Sequence, residues 1–505
     1  MKTALLSLLC LVPLSGLPLH AATNDWFGIR VVDESTGRGV PLVELETVNH
    51  LRYVTDNAGW VALQEPGWAG QPVFFTIRSH GYEYPKDGFG YAGVAVTNTP
   101  GAHVTVKLKR HNVAERLYRV TGEGRHRDSV LLGEPAPAGE PAIRGLVVGQ
   151  DSVQLAPYHG RLLWFWGDTA RLRHPLGQFR TSGAWSVLPG AAGFDPTRDI
   201  DLHYWTDREG FSREMVPLPT GEKGVVWIDG VVTVPDAKGQ ERLVAHFSHR
   251  ESLARQLRHG FAVWNDGREA FEPTVTLPEA EVWRFLQGHP VKHTMAGREY
   301  LLCGDHLPNI RVPARLEDVL NPASYEAWTC LSTNRNPQRD AAGALSWAWQ
   351  RDTAPTRNRD EQRWLKAGLV QTNELRFLPL DTESGKTVLL HGGSVRWNAH
   401  RQRWIAIAVE SGGTSSALGE VWYAEARDPL GPWRKARRVV THERYSFYNP
   451  VHHDVLDREG GRLIQFEGTY AETFSGNPTA TPRYDYNQMM YRLDLDDPRL
   501  AATHE

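Results

Sequence analysis

Cysteine is scarce in this sequence. Three occur in 505 residues, and one of them, Cys10, lies in an apolar N-terminal stretch. A scaffold stapled by several disulfides is excluded, and so is structural zinc held by C-x-x-C pairs. Charge of one sign is lacking as well: 56 Lys and Arg stand against 59 Asp and Glu, a formal net charge of -3. That balance gives no electrostatic basis for binding nucleic acid or an anionic membrane. Beyond the N-terminus no apolar run approaches the length of a membrane span. Nor is there a P-loop, a G-x-G-x-x-G after a strand, a G-x-S-x-G nucleophile elbow or an H-E-x-x-H. Nucleotide binding therefore finds no support, and neither does the chemistry those last two motifs carry.

What is present begins with MKTALLSLLCLVPLSGLPLHAATNDW. One Lys, an apolar stretch and small residues at Ala21 and Ala22 make residues 1–22 an expected signal peptide. Leu8 and Leu9 stand before Cys10 where a lipoprotein would carry a small residue. Export places the mature chain outside the cell or in a periplasm. That setting permits a disulfide between the two remaining cysteines, Cys303 and Cys330, which sit in the strand-like runs YLLCGDH and YEAWTCLS. Two buried free thiols fit those runs equally well.

Residues 26–110 alternate with period two between Gly and Pro turns, as in IRVVDESTGRGVPLVELETVN, and are expected to form a small β-sandwich. The pairing of T-G-x-G-V-P with Y-x-T-D-x-x-G resembles the carboxypeptidase-regulatory-like and collagen-adhesin B-type modules. Residues 111–143 shift in composition. They are read as a linker and docking segment with a helical patch at Ala114–Tyr118.

From residue 144 to residue 498 one pattern recurs: a strand, a tight turn, and a second strand closing on a polar group. The copies are DSVQLAPYHGRLLWFWGDT, DGVVTVPDAKGQERLVAHFSHR, HPVKHTMAGREYLLCGDH, GGSVRWNAHRQRWIAIAVES and NPVHHDVLDREGGRLIQFEGT. Five copies of a radially repeated antiparallel unit predict an all-β chain whose second part is a five-bladed β-propeller. The 18 Trp and 16 Tyr suit such β packing, and an aromatic ring can also stack on a sugar face.

In such a repeat the start of strand one and the end of strand two share a face. The starts are Asp151, Asp229, His289, Ser394 and Asn449; the ends are Asp168, His249, Asp305, Glu410 and Glu467. Any one of these can be a turn-former. As a set they predict an axial site, because several titratable groups converge there. Paired carboxylates serve glycoside hydrolysis, one ionised and one kept protonated. Asp151 is expected as base or nucleophile, Glu410 as acid at the end of an apolar strand, and Asp168 as an alternative for either role. Asp229, His289, His391, Tyr448, Asn449 and Glu467 are expected to hold substrate, an oligo- or polysaccharide.

An early Asp followed by G-D-T, here Asp151 and Gly167–Asp168–Thr169, resembles the propeller glycosidases of the arabinanase and xylosidase-like kind, the endo-D-arabinanase type above all. The resemblance implies a five-bladed propeller and carbohydrate hydrolysis. It reaches neither Glu410 nor the later repeats. Two other readings compete. One is a metal-assisted polysaccharide lyase with His or Tyr448 as base, drawing on His289, His293, His306, His391, His452 and His453. The other is a non-catalytic carbohydrate- or protein-binding propeller using the loop Phe466–Gln488. No cofactor is firmly implied, and structural calcium is compatible with the repeat although no motif requires it. Composition leaves the oligomeric state open.

Overall fold

Alternation in the first hundred residues produces two four-stranded sheets. HVTVKLKR, His103–Arg110, turns Val106 and Leu108 inward and Lys107 and Lys109 outward. One sheet is ordered Trp60–Leu63, Phe27–Asp33, His103–Arg110 and Tyr82–Glu83. The other is ordered Arg52–Val54, Glu44–Thr47, Pro72–Arg78 and Gly93–Thr97. Ile29, Val31, Leu45, Phe75, Ile77 and Val106 join them in one core. The computed structural model describes residues 25–137, 142–178, 180–191, 194–219, 222–473 and 475–504. The expected signal peptide at residues 1–22 lies outside the described residues.

The rest of the chain is also mostly β. Each repeated hairpin supplies the first two strands of one further antiparallel sheet. Sheet I runs from Gln154–Tyr158 and Arg161–Trp166 to Ser182–Val187 and His203–Tyr204. Sheet II runs from Val225–Pro235 and Glu241–Arg250 to Gln256–Asn265 and Ala270–Leu277. Sheet III begins with Val291–Met295 and Arg298–Cys303 and continues through Ile310–Pro313, Glu326–Thr329 and Ala348–Gln350. Sheet IV holds Leu390–Asn398, Arg403–Glu410, Val421–Ala426 and Lys435–Val440, with Leu380–Asp381 added parallel at its edge. Sheet V is built from Ser446–His452, Leu463–Ala471 and Asn487–Asp494.

The fourth strand of sheet V comes from far upstream. Glu115–Arg119 pairs antiparallel with the strand Asn487–Asp494, Tyr118 opposite Met490. The helical patch expected at Ala114–Tyr118 is therefore a strand, and the 111–143 segment is more than a linker. All five residues of the strand are buried, and burial on both faces overrides the helix propensity of Ala, Glu, Arg and Leu. The helix in this stretch lies later, at Arg127–Leu132, and stops at the left-handed Gly133.

Consecutive sheets share cores in cyclic order. Phe165, Phe247 and Trp264 join I to II; Val234 and Phe261 join II to Leu301 and Tyr325 of III. Val291 and Trp328 of III pack on Trp404 and Trp422 of IV. Ile405 and Tyr423 of IV meet Phe447 and Met489 of V. Tyr118, Val451 and Met490 of V meet Leu162, Trp164 and Trp166 of I. Hydrogen bonds between the first strands and the turns leading into them repeat the same circuit. Gln154 donates to Asp229 at 3.1 Å, and the Gly288 N–H donates to Asp229 at 2.9 Å. Arg396 donates to the His289 carbonyl, the His452 N–H to Ser394, and the Asn449 amide to Ser152 at 2.8 Å.

Cys303 and Cys330 are buried free thiols, so the disulfide does not form. The strand Ile310–Pro313 lies between the strand ending in Cys303 and the strand preceding Cys330. Two strand spacings amount to about 9–10 Å, beyond disulfide reach.

Candidate active site

The run LLWFWGDT ends on a carboxylate because the chain changes sheets there. The hairpin of sheet I continues past its own ladder into a second one, Val147–Gln150 against Thr169–Arg171, within a small sheet completed by His174–Gln178. Asp151–Ser152 and Gly167–Asp168 occupy the junction. The Gly167 N–H donates to the Asp151 carbonyl at 2.8 Å, and the Asp151 N–H donates to the Asp168 carbonyl at 3.2 Å. Most telling, the Asp168 N–H donates to the Asp151 carboxylate at 2.8 Å. Ser152 takes a φ of 54°, unusual for a residue with a Cβ. A Cβ at residue 167 would lie 2.3 Å from Asp151 Oδ1, so only glycine lets this carboxylate fold back on the turn.

Three aromatic side chains reach the pair from other sheets. The Tyr448 hydroxyl, from the first strand of sheet V, donates to Asp151 Oδ2 at 3.2 Å. The Trp227 indole N–H, from the first strand of sheet II, donates to Asp168 Oδ1 at 2.7 Å. The Tyr486 phenol, just before the last strand of sheet V, stabilises the charge of both carboxylates. All five side chains belong to half-buried residues. Burial, and then repulsion by Asp168, lift the Asp151 carboxyl to about 7, against the stabilising contacts of Tyr486, the Asp168 N–H and Tyr448. Burial also raises Asp168, opposed by Trp227 and Tyr486. Both phenols are pushed upward by burial and then by Asp151. They therefore remain hydrogen-bond donors.

The other expected site residues divide. Asp229 binds Gln154 and the Gly288 N–H between sheets I and III, and burial raises its carboxyl to about 7. Asn449, at φ 49°, ties sheet V to sheet I through Ser152. Both belong to the inter-sheet circuit. Burial holds the His289 imidazole well below its usual range, with Arg396 and His453 adding to the effect. His391 is exposed and shares its surroundings with Asp305 and Arg359. Burial lowers the neighbouring His306 to about 4.

Glu467 is placed otherwise than expected, and Glu410 has partners other than Asp151. Glu410 accepts from the Trp422 indole at 3.0 Å and interacts with Arg438, Asp381 and Glu420, all within sheet IV. Glu467 is fully buried 3.5 Å from His453, so it lines no open surface. Glu410 does end its strand, Arg403–Glu410, whereas Glu467 lies in the middle of Leu463–Ala471 and is enclosed on all sides. Sequence reasoning did not single out Trp227 or Tyr486. The first had a signal, since Trp227 stands two residues before Asp229 and so on the same strand face. Tyr486 lay within the loop Phe466–Gln488 with nothing to distinguish it from its neighbours. Among the described residues no three His, Cys, Asp or Glu gather as a metal site. No helix among them is long and apolar enough to cross a membrane.

No family model matches the chain, and no curated protein sequence matches it. Solved structures similar to it in part include an exo-β-1,3-galactanase from Phanerochaete chrysosporium. That match has 10% identity and a TM-score of 0.35, and covers 76% of this chain and 65% of the galactanase, less than two thirds of its length. An N-acetylgalactosamine deacetylase from F. plautii is similar at 9% identity over 77% of this chain and 98% of its own, TM-score 0.37. A GH43 enzyme from Xanthomonas citri aligns at 12% identity over 68% of this chain and 86% of its own, TM-score 0.32.

Proposed function

We propose that the chain is an exported glycoside hydrolase, a small β-sandwich followed by a five-bladed propeller, with Asp151 and Asp168 as its acid–base pair. The cyclic order of shared cores supports the propeller. The observation that carries the chemistry is the half-buried carboxylate pair, both members raised by burial and each met by partners of its own, Tyr448 on Asp151 and Trp227 on Asp168. Asp151, at about 7, is protonated in much of the population at neutral pH. It gives that proton to the glycosidic oxygen as the bond to the anomeric carbon breaks. Asp168, whose charge is stabilised by the Trp227 indole and by Tyr486, accepts a proton from the water that adds to that carbon. This reverses the role expected for Asp151, because its surroundings favour the protonated form.

The acid role predicts activity that falls as pH rises through about 7. Stability follows the same sign. An Asp whose folded pKa exceeds its ordinary 3.8 is destabilising once ionised, so stability drops between roughly pH 4 and 7 and stays lower above that. Asp151→Asn should remove this group's share of both profiles, leaving a shallower fall in stability carried by other raised carboxyls such as Asp229, and thermal melting at pH 5 and pH 8 checks the second.

A raised phenol disfavours Tyr448 as the base of a lyase. The test is a screen against arabinan, xylan, galactan and polyuronates, reading reducing ends beside the absorbance of unsaturated uronates, with and without chelator. Reducing ends without unsaturation, lost in folded Asp151→Asn, support the hydrolase. Metal-dependent unsaturated product points to the lyase instead. Glycan binding that survives both Asp→Asn changes, with no turnover by the parent chain, leaves a binding propeller.

A further inference from the structure

A concavity of about 1220 Å³ opens between the two N-terminal sheets and sheet V. One wall carries His80, Tyr84 and Lys86; the facing wall carries Glu443, Arg444 and Thr479. Tyr445 and Tyr470 stack at 4.1 Å along it, and the His80 ring packs on them at 5.5 and 5.7 Å. Burial beside Arg116 lowers His80 to about 3, so the ring is neutral. Its Nδ1 is buried without a hydrogen-bond partner among the described residues. Lys86 and Glu443 are exposed and join none of the ion pairs among the described residues, while Tyr84 is half-exposed.

The chemistry of these walls selects the occupant. A free ammonium on one side and a free carboxylate on the other give no net field for an anion or a cation. Hydroxyl-rich chains donate to one and accept from the other, and a sugar ring offers Tyr84 an apolar face. The volume exceeds the usual range of roughly 300–1,000 Å³ for a single small ligand, which suits several sugar units. The same wall is linked to the carboxylate site through a short run of chain. Arg52 donates to Thr479 at 3.3 Å, and the Thr481 N–H donates to the Tyr445 hydroxyl at 2.9 Å. Tyr484 bonds the Thr55 carbonyl, two residues before Tyr486.

We infer that this groove binds a second stretch of neutral polysaccharide, remote from the carboxylate pair. The inference rests on the carbohydrate reading above and extends it to the N-terminal sheets. Its test uses the full chain carrying Asp151→Asn, titrated calorimetrically with neutral arabino-, xylo- and galacto-hexasaccharides. Adding Tyr84→Ala and Lys86→Ala should weaken binding about fivefold or more, and Tyr84→Phe should restore most of it. With Asp151 intact, the same pair should raise KM for the polymer about fivefold and leave trisaccharide turnover unchanged. Affinity and KM unchanged within about twofold overturn the groove while the hydrolase reading stands. Weakened binding in a parent chain without turnover supports the groove and overturns the hydrolase. Absence of binding by the Asp151→Asn chain to every hexasaccharide overturns the groove.

Discussion

Two carboxylates close equivalent second strands, Asp168 in sheet I and Glu410 in sheet IV, and both accept a hydrogen bond from an indole N–H. Their surroundings differ in origin. The Asp168 cluster draws Asp151 from the entry to its own sheet, Trp227 from sheet II, and Tyr448 and Tyr486 from sheet V. The Glu410 cluster draws Trp422, Glu420, Arg438 and Asp381, all from sheet IV. Both Glu410 and Asp151 meet further carboxylates, but Arg438 favours the charged form of Glu410, whereas Asp151 has no cation among its named partners. A repeat thus delivers an acid to each strand end, but a site arises where several sheets converge on one of them.

The largest expected effect breaks this comparison at its root. Asp151→Asn and Asp168→Asn should each lower hydrolysis by roughly 10²–10⁴, whereas Glu410→Gln should change it by less than about threefold. Reducing-sugar assays on folded variants decide the matter. Equal losses at Glu410 would put the chemistry in sheet IV.

A smaller effect is expected at the turn. Gly167→Ala places a Cβ against Asp151 Oδ1 and must displace that carboxylate, at a cost of roughly a hundredfold in activity. Gly412, in the loop after Glu410, has open space around a Cβ, although its φ of +80° strains any side chain. Gly412→Ala should therefore reduce stability in a melting experiment and leave turnover near its parent value. The contrast separates displaced chemistry from general backbone strain.

The smallest effect sharpens the electrostatic difference. Trp227→Phe removes a hydrogen bond to a charged acceptor, worth roughly 1.5–3 kcal/mol. The Asp168 carboxyl should then titrate about one unit higher or more, moving the acid limb of the pH–rate profile upward. Trp422→Phe should leave that profile unchanged.

Parts of this were legible in the chain. The hairpin LAPYHGRLLWFWGDT announces two strands and a polar exit, and Asp168 lies at that exit. The alternation of HVTVKLKR predicts an inward and an outward face, and both are seen. Other parts were not. Glu115–Arg119 reads as helix in isolation, and only the uncovered edge of Asn487–Asp494, more than 360 residues away, makes it a strand. Cys303 and Cys330 looked like neighbours because the intervening strand Ile310–Pro313 leaves no mark on their spacing. Glu410 shares a position in the repeat with Asp168 but not its partners, and which side chains meet a strand end is set by packing between segments far apart in the chain.

By itself the sequence determined a mostly β chain, the repeated hairpin, the acids at or near strand ends and the glycine that precedes Asp168. Each follows from local alternation and turn chemistry, which act over a few residues. Tertiary structure decided which carboxylates meet, and that burial raises both of them. Asp151 and Tyr448 stand 297 residues apart, and desolvation depends on every segment packed around a group. Neither property is encoded in any short window of the chain.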